Sequence, residues 1–179
     1  MKILWVGVVL AVAPLTLAAQ NSSTPKVDQG ASKMMRSPDT RFAMEAARGG
    51  MAEVQLGKLA ADQASNADVK AFGQQMVDDH GKANDQLKAV AEKQNLTLPT
   101  TVSAKQQAEY DKLKAKSGAE FDKAYVDMMV KDHEKDVKAF QKEANSGKDE
   151  QLKAFASETL PVLQGHLEKI KSIQSKLGS

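Results

Sequence analysis

The sequence contains no cysteine. That excludes disulfides, thiolate metal ligands, a cysteine nucleophile and a lipidated N-terminal cysteine. In an oxidising compartment the fold must then rest on its core alone. Charge of one sign is missing too: 25 Lys and Arg stand against 23 Asp and Glu, interspersed, for a net +2. This argues against a dedicated nucleic-acid or membrane-surface patch, and the charges read as solvated helix surface. There is no β pattern, no glycine-rich fingerprint or phosphate loop, no nucleophile triad and no paired catalytic carboxylates. An enzyme, for example a metal-dependent oxidoreductase, therefore ranks below a binding or a structural protein. Histidine is scarce at three residues.

What is present begins with Met1-Lys2 and an apolar run from Ile3 to Ala19, interrupted by Pro14. A basic start, an apolar stretch and small residues before Gln20 read as a secretory signal, cleaved after Ala18 or Ala19. The run is short for a span and lacks closing basic residues. The processed protein is thus expected to be exported without a transmembrane span, to the periplasm or the outer membrane. Residues 20–38, rich in Ser, Pro, Lys and Gln, read as a flexible leader. Residues 39–177 are enough for one domain with a genuine core.

Apolar residues at three- and four-residue spacing predict an all-α domain of four long amphipathic helices. The first covers about Asp39 to Ala64, with Asp39 as its cap. The second follows Ser65, with Asp68 at the capping-box position, and ends near Gln94. The third covers Gly118 to Ala144 and stops at Asn145-Ser146-Gly147. The fourth covers Lys148 to Lys176, kinked at Pro161. After Pro99, a Ser103/Gln106 capping box opens a short extra helix reaching Lys116, whose Tyr110 and Leu113 cover one end of the bundle. The two short turns make antiparallel pairs. The long middle connection allows either an up-down bundle or a ferritin-like crossover.

The histidines fall one each on the last three long helices. At about 100° per residue, His80 lines up with Val69, Met76, Leu87 and Ala91. His133 lines up with Val126, Met129, Val137 and Phe140, and His166 with Phe155, Thr159, Val162, Ile170 and Ile173. On the first helix Glu53 joins the apolar line of Phe42, Ala46 and Ala60. A core stripe takes roughly three of seven positions, so three inward histidines arise by chance about one time in ten. All four residues lie near the middles of their helices, where antiparallel neighbours meet at one level. That is how bundle metal sites are built, and an unpartnered buried carboxylate at Glu53 would need a cation or a proton. Glu53, His80, His133 and His166 are therefore the expected ligands of one divalent ion: zinc, copper or iron. The competing reading is a metal-free polar layer that sets bundle register.

Met76-Val77-Asp78-Asp79-His80 echoes Met129-Val130-Lys131-Asp132-His133, with Phe72 matching Tyr125 upstream. Asp79 and Asp132 are candidates to orient a histidine from outside the ligand set, Asp132 having the better claim because it shares a line with Phe121, Tyr125 and Met128. Met76 and Met129, one turn before their histidines, would suit copper as thioether donors or serve as core filler. Gly49-Gly50 permits either close helix approach or an access gap beside Glu53.

The stretch from Phe42 to Ile173 resembles the domain-of-unknown-function 4142 family of bacterial secreted proteins, often labelled outer membrane proteins. The likeness is carried by Phe42 through Ala47, Glu53 through Ala60, Met76 through His80, Phe121-Asp122 through His133, Leu160-Pro161 and His166-Leu167. It implies a ferritin-like four-helix fold and an envelope location, and brings no settled activity. Ferritin-like di-iron proteins carry Glu-x-x-His pairs, whereas Val77, Val130 and Leu163 stand three residues before these histidines. Di-iron oxygen chemistry is therefore not implied, and a mononuclear site is what the residues allow.

Overall fold

Short polar side chains decide where the helices begin. In the computed structural model, which describes residues 37–178, Ser37 accepts the Thr40 N–H at 3.0 Å and opens α1 (Pro38–Gln63), with proline at the first position, where no N–H is needed. Asn66 accepts from Asp68 and Val69 and opens α2 (Ala67–Lys93). A reciprocal Ser103/Gln106 box opens α3 (Ala104–Lys114). α4 (Gly118–Ser146) and α5 (Glu150–Leu177) follow, the latter capped by Asp149. The five helices and the absence of strands among the described residues make an all-α bundle. The expected signal peptide, and the leader up to residue 36, lie outside the described residues.

Two local expectations are corrected. Asp39 does not cap its own helix; its Oδ2 accepts the Lys148 and Asp149 N–H groups at 2.8 and 2.7 Å. The Ser65/Asp68 box does not form, because Asp122 takes the Ser65 and Asn66 N–H groups at 2.9 and 2.8 Å and Asn66 becomes the cap. α4 stops within Asn145-Ser146-Gly147 as expected, at Ser146 with Gly147 as its cap, although the φ of Gly147, −56°, is not left-handed. Sequence spacing weighs a side chain against its own helix, whereas both aspartates bond the neighbouring hairpin.

These two clamps reveal the topology. Asp39, at the start of α1, holds the α4–α5 turn, so α4 runs antiparallel to α1. Asp122, at the start of α4, holds the α1–α2 turn at the other end. Lys176 near the end of α5 meets Asp68 at the start of α2 at 3.0 Å, so these two are antiparallel as well. The diagonal helices α2 and α4 then point the same way, and the chain between them must travel the length of the bundle: the ferritin-like crossover. α3 is part of that return. Gln106 Nε2 donates to the Arg48 carbonyl at 3.2 Å, and Gln63 Nε2 to the carbonyls of Lys114 and Lys116, so α3 lies along α1.

α1 and α2 touch at a glycine pair. A Cβ on Gly57 would stand 2.6 Å from the Gly73 carbonyl, and one on Gly73 2.7 Å from that of Gly57. Of the other pair, Gly50 meets Asn84 with no room for a Cβ, while Gly49 faces open space. One glycine serves close approach and the other leaves a gap beside Glu53. Along α5 the buried positions Leu152, Ala156, Thr159, Leu163, His166, Ile170 and Ile173 alternate steps of four and three, as a bundle seam requires. Val162, expected in that line, is 43% exposed; it falls between seam positions and Leu163 takes its place. α5 continues through Pro161 without a break.

The core divides in two. One apolar cluster gathers Leu59, Phe72, Met76, Leu113, Tyr125 and Ile170 with their neighbours, with Tyr110 packed against it. The other gathers Phe42, Leu87, Phe140, Leu152 and Phe155. On every long helix the Glu or His lies between residues of the two clusters, so a polar layer crosses the waist of the bundle.

Gly73→Ala should lower stability by about 1–3 kcal/mol, the usual cost of overpacking a tight contact, read as a shifted urea midpoint. An unchanged midpoint would mean that α1 and α2 separate freely at this point.

Candidate metal centre

The waist layer is deeply buried: Glu53 is 3% exposed, His80 5%, His133 0% and His166 1%. One ring nitrogen from each histidine lies within 4.8 Å of the others, the only such group among the described residues. Ring centroids stand 5.4–5.7 Å apart. The Phe72 ring meets His133 and His166 edge-on, each at 6.1 Å, and closes the layer on its apolar side.

Each imidazole turns its other nitrogen outward to an acceptor. His80 Nδ1 lies 2.9 Å from Glu53 Oε2. His133 Nδ1 lies 3.0 Å from the Met129 carbonyl oxygen. His166 Nε2 lies 2.9 Å from Asp79 Oδ2. Carboxylates and carbonyls only accept, so these three nitrogens carry protons. A neutral ring has one N–H, which leaves His133 Nε2 and His166 Nδ1 bare, and they face each other at 3.4 Å. His80 Nε2 is buried with no partner.

Electrostatics agree with those tautomers. Burial pushes His166 down to about 4, against the pull of Asp79. Burial likewise lowers His133 and outweighs the attraction of Glu53. Burial also works against charge on His80, but the Glu53 carboxylate overcomes it and holds His80 above the usual value. Glu53 is the mirror case: burial opposes its charge, and the charge and hydrogen bond of His80 hold it below the usual range. The layer thus carries at most one extra proton near neutrality, on the His80–Glu53 pair.

Glu53 enters this centre through His80, while its Oε1 lies 3.6 Å from His133 Nδ1 and has no hydrogen-bond partner. Asp79, the weaker of the two aspartate candidates by sequence, is the one that bonds a histidine. Sitting one residue before His80, it is turned about 100° toward α5 and meets His166 across the helix interface. Asp132 bonds no histidine. Met76 and Met129 are fully buried in the apolar cluster, and Met129 serves His133 through its carbonyl. Tyr125 stacks on Phe121 at 6.1 Å with its hydroxyl unpartnered; burial, then Glu53, pushes that hydroxyl far above the ordinary phenol range.

Grooves reach the layer from two sides, and a small cavity of about 30 Å³ touches Glu53 and His80 as well. One groove, of about 200 Å³, lies between α2 and α5 and touches Asp79, His80 and His166. The other, about 370 Å³, lies among α1, α3 and α4 and touches Glu53, Asp132 and Asp136. Asp136 was not among the sequence candidates. Burial, then Glu53 and Asp132, pushes its carboxyl up to about 8, and burial with Glu53 pushes Asp132 up to about 6. Its spacing carries a signal: it stands three residues after His133 on the same side of the helix, the reverse of the Glu-x-x-His order.

The chain belongs to the family described as domain of unknown function DUF4142, whose model matches residues 24–173. Among solved structures it is similar to a DUF305 fragment from Deinococcus radiodurans, with a TM-score of 0.69 at 10% identity, covering 78% of this chain and 96% of that one. It is also similar to the "putative secreted protein DUF305" of Streptomyces coelicolor, with a TM-score of 0.67 at 14% identity, covering 81% and 96%. At such identity the likeness establishes the helical-bundle fold. The comparison with curated proteins gave no match. No helix among the described residues is long and apolar enough to cross a membrane.

Asp136 gives a pH test. Its carboxyl titrates near 3.8 when unperturbed and at about 8 in the fold. The folded chain therefore keeps a proton that the unfolded chain releases, and stability falls as pH rises through that range. Asp136→Asn removes the penalty, so its melting temperature should exceed the wild-type value by a margin that widens from about pH 5 to about pH 8. A margin constant with pH would show that Asp136 is ordinarily ionised.

Proposed function

We propose that the protein is an exported metal-binding bundle that holds one divalent first-row transition ion on His80 Nε2, His133 Nε2 and His166 Nδ1. The observation that carries this reading is the pair of bare nitrogens 3.4 Å apart. Two lone pairs at that distance repel in a dry interior. Two imidazole nitrogens about 2.0–2.1 Å from a tetrahedral ion stand about 3.4 Å from each other. His80 supplies the third donor once it gives up its proton.

The outward bonds support the same reading. Ligating histidines donate their other N–H to a carboxylate or a backbone carbonyl, which fixes the tautomer and aims the ring; Glu53, the Met129 carbonyl and Asp79 stand where such acceptors belong. Glu53, expected as a fourth ligand, serves the ion through His80. Three imidazoles with a fourth position for water suit zinc; copper and iron accept the same donors. The apolar packing of Met76 and Met129 favours core filling over a thioether role. The sequence offers no nucleophile triad and no paired catalytic carboxylates, which favours reversible holding for storage, delivery or stress tolerance over catalysis. The expected export signal supports a role in the periplasm or at the outer membrane.

Metal analysis of the protein recovered from the periplasm should find about one ion per chain, the count that one three-donor centre allows. His133→Gln and His166→Gln should each abolish it with helicity retained. Asp79→Ala, which removes the acceptor of the His166 Nε2–H, should weaken affinity by about 10–100-fold. Stoichiometric binding that survives loss of all three rings would sink the site.

Acid should release the ion, because ligation needs unprotonated nitrogens. Retention is expected to collapse below about pH 6, followed by dialysis against a chelator. Flat retention from about pH 8 to about pH 5 would rule out imidazole ligation.

A further inference from the structure

The two faces of the histidine layer are not alike. On one, the Phe72 ring lies edge-on against His133 and His166 and covers them. On the other, the cavity of about 30 Å³ lies between Glu53 and His80 on one side and the Phe140 and Phe155 rings on the other. All four long helices wall it: α1 with Ala46 and Glu53, α2 with His80 and Asn84, α4 with Asp136, α5 with Thr159. It therefore sits near the axis of the bundle.

The space suits a molecule of one or two heavy atoms. About 30 Å³ is the share one water takes in the liquid, and a cavity holds a water where two or more polar groups meet it. Two such groups on this wall are unsatisfied, for His80 Nε2 and Glu53 Oε1 are buried without a hydrogen-bond partner. Glu53 Oε1 can only accept, and its twin Oε2 is taken by His80 at 2.9 Å. Thr159 spends its hydroxyl proton on the Phe155 carbonyl at 2.8 Å, so it too offers the cavity an acceptor. Such a wall asks for a small molecule that donates.

We propose that this cavity is the fourth-ligand pocket of the histidine centre: it seats a water on the ion, aimed by Glu53 Oε1, and yields it only to a neutral ligand of one or two heavy atoms. The inference rests on the three-histidine reading above. Three imidazoles leave a tetrahedral ion one open position. Phe72 covers one face of the layer, so that position turns to the cavity. Glu53 is then a positioning residue for both, with one oxygen on His80 and one on the water. Its buried charge opposes an anion in the same space, and the volume excludes longer ligands. A ligand entering from the wider α2–α5 groove, at about 200 Å³, would meet no such limit of size.

Nitric oxide added to the Fe²⁺-loaded protein tests this, because the probe is neutral and diatomic and its ferrous adduct is visible by electron paramagnetic resonance. The water leaves as the iron–nitrogen bond forms, with no electron supplied from elsewhere. The wild type should bind about one nitric oxide per iron, and azide should not compete. Ala46→Leu fills the cavity and touches neither groove. It should weaken nitric oxide binding by at least about tenfold with iron content unchanged. Adding Phe155→Leu returns that volume and should restore binding, which mere distortion by the first change would not allow. Gly49→Ala places a methyl on the same wall without a clash, 4.0 Å from Asp136 Oδ2, and should weaken binding in the same direction. Iron that takes no nitric oxide, takes azide as readily, or ignores both Ala46→Leu and Gly49→Ala would overturn the pocket and leave the histidine centre standing. Iron that fails to bind, or that binds without the three rings, would overturn the histidine centre and the pocket with it.

Discussion

Three buried imidazoles, each with its outward N–H committed to an acceptor, are the constraint around which the rest of this bundle is arranged. Once Glu53, the Met129 carbonyl and Asp79 have taken those protons, the inner nitrogens have no donor left to face. In water such lone pairs would be satisfied at once. At a waist sealed by apolar clusters on both sides they are not, and the interior is left with an electron-rich point that a cation would relieve. A layer kept only to fix helix register would do better with donors and acceptors in matched pairs.

Holding four polar side chains at one level requires the helices to be locked lengthwise, and the two aspartate clamps do this. Asp39 and Asp122 each take two backbone N–H groups from the turn of the opposite hairpin. Each satisfies orphan donors at a helix start and pins one hairpin against sliding along the other. A slip of one turn, about 5.4 Å, would carry any one histidine out of reach of the other two. The Gly57–Gly73 contact sets the remaining distance by letting α1 and α2 backbones touch.

Glu53 links this inner layer to the outside. Its Oε2 keeps His80 oriented and poised for charge, while its Oε1 lies 3.6 Å from His133 Nδ1 without a hydrogen bond. The same residue favours a proton on both His80 and Asp136, so it stabilises charge on the first and opposes charge on the second. The acid that steadies one side therefore strains the other, which is the pattern of a site maintained at some expense of stability.

The sequence by itself determined the all-α class, the four long helices, the Ser103/Gln106-capped fifth and the inward face of every histidine, because helical period and local capping act within a single element. It also placed Glu53 and the three histidines at mid-helix. Which partner each side chain meets was decided only by tertiary structure. Asp79 finds His166 across the α2–α5 interface, Asp39 and Asp122 bond turns more than 50 residues away, and Asp136 joins Glu53 at a groove that exists only once α3 has crossed over. The crossover itself follows from those same long-range bonds. A residue's angle around its own helix is a property of local geometry, whereas the identity of its neighbour depends on how rods of similar pattern are ordered and staggered, and nothing within one rod carries that information.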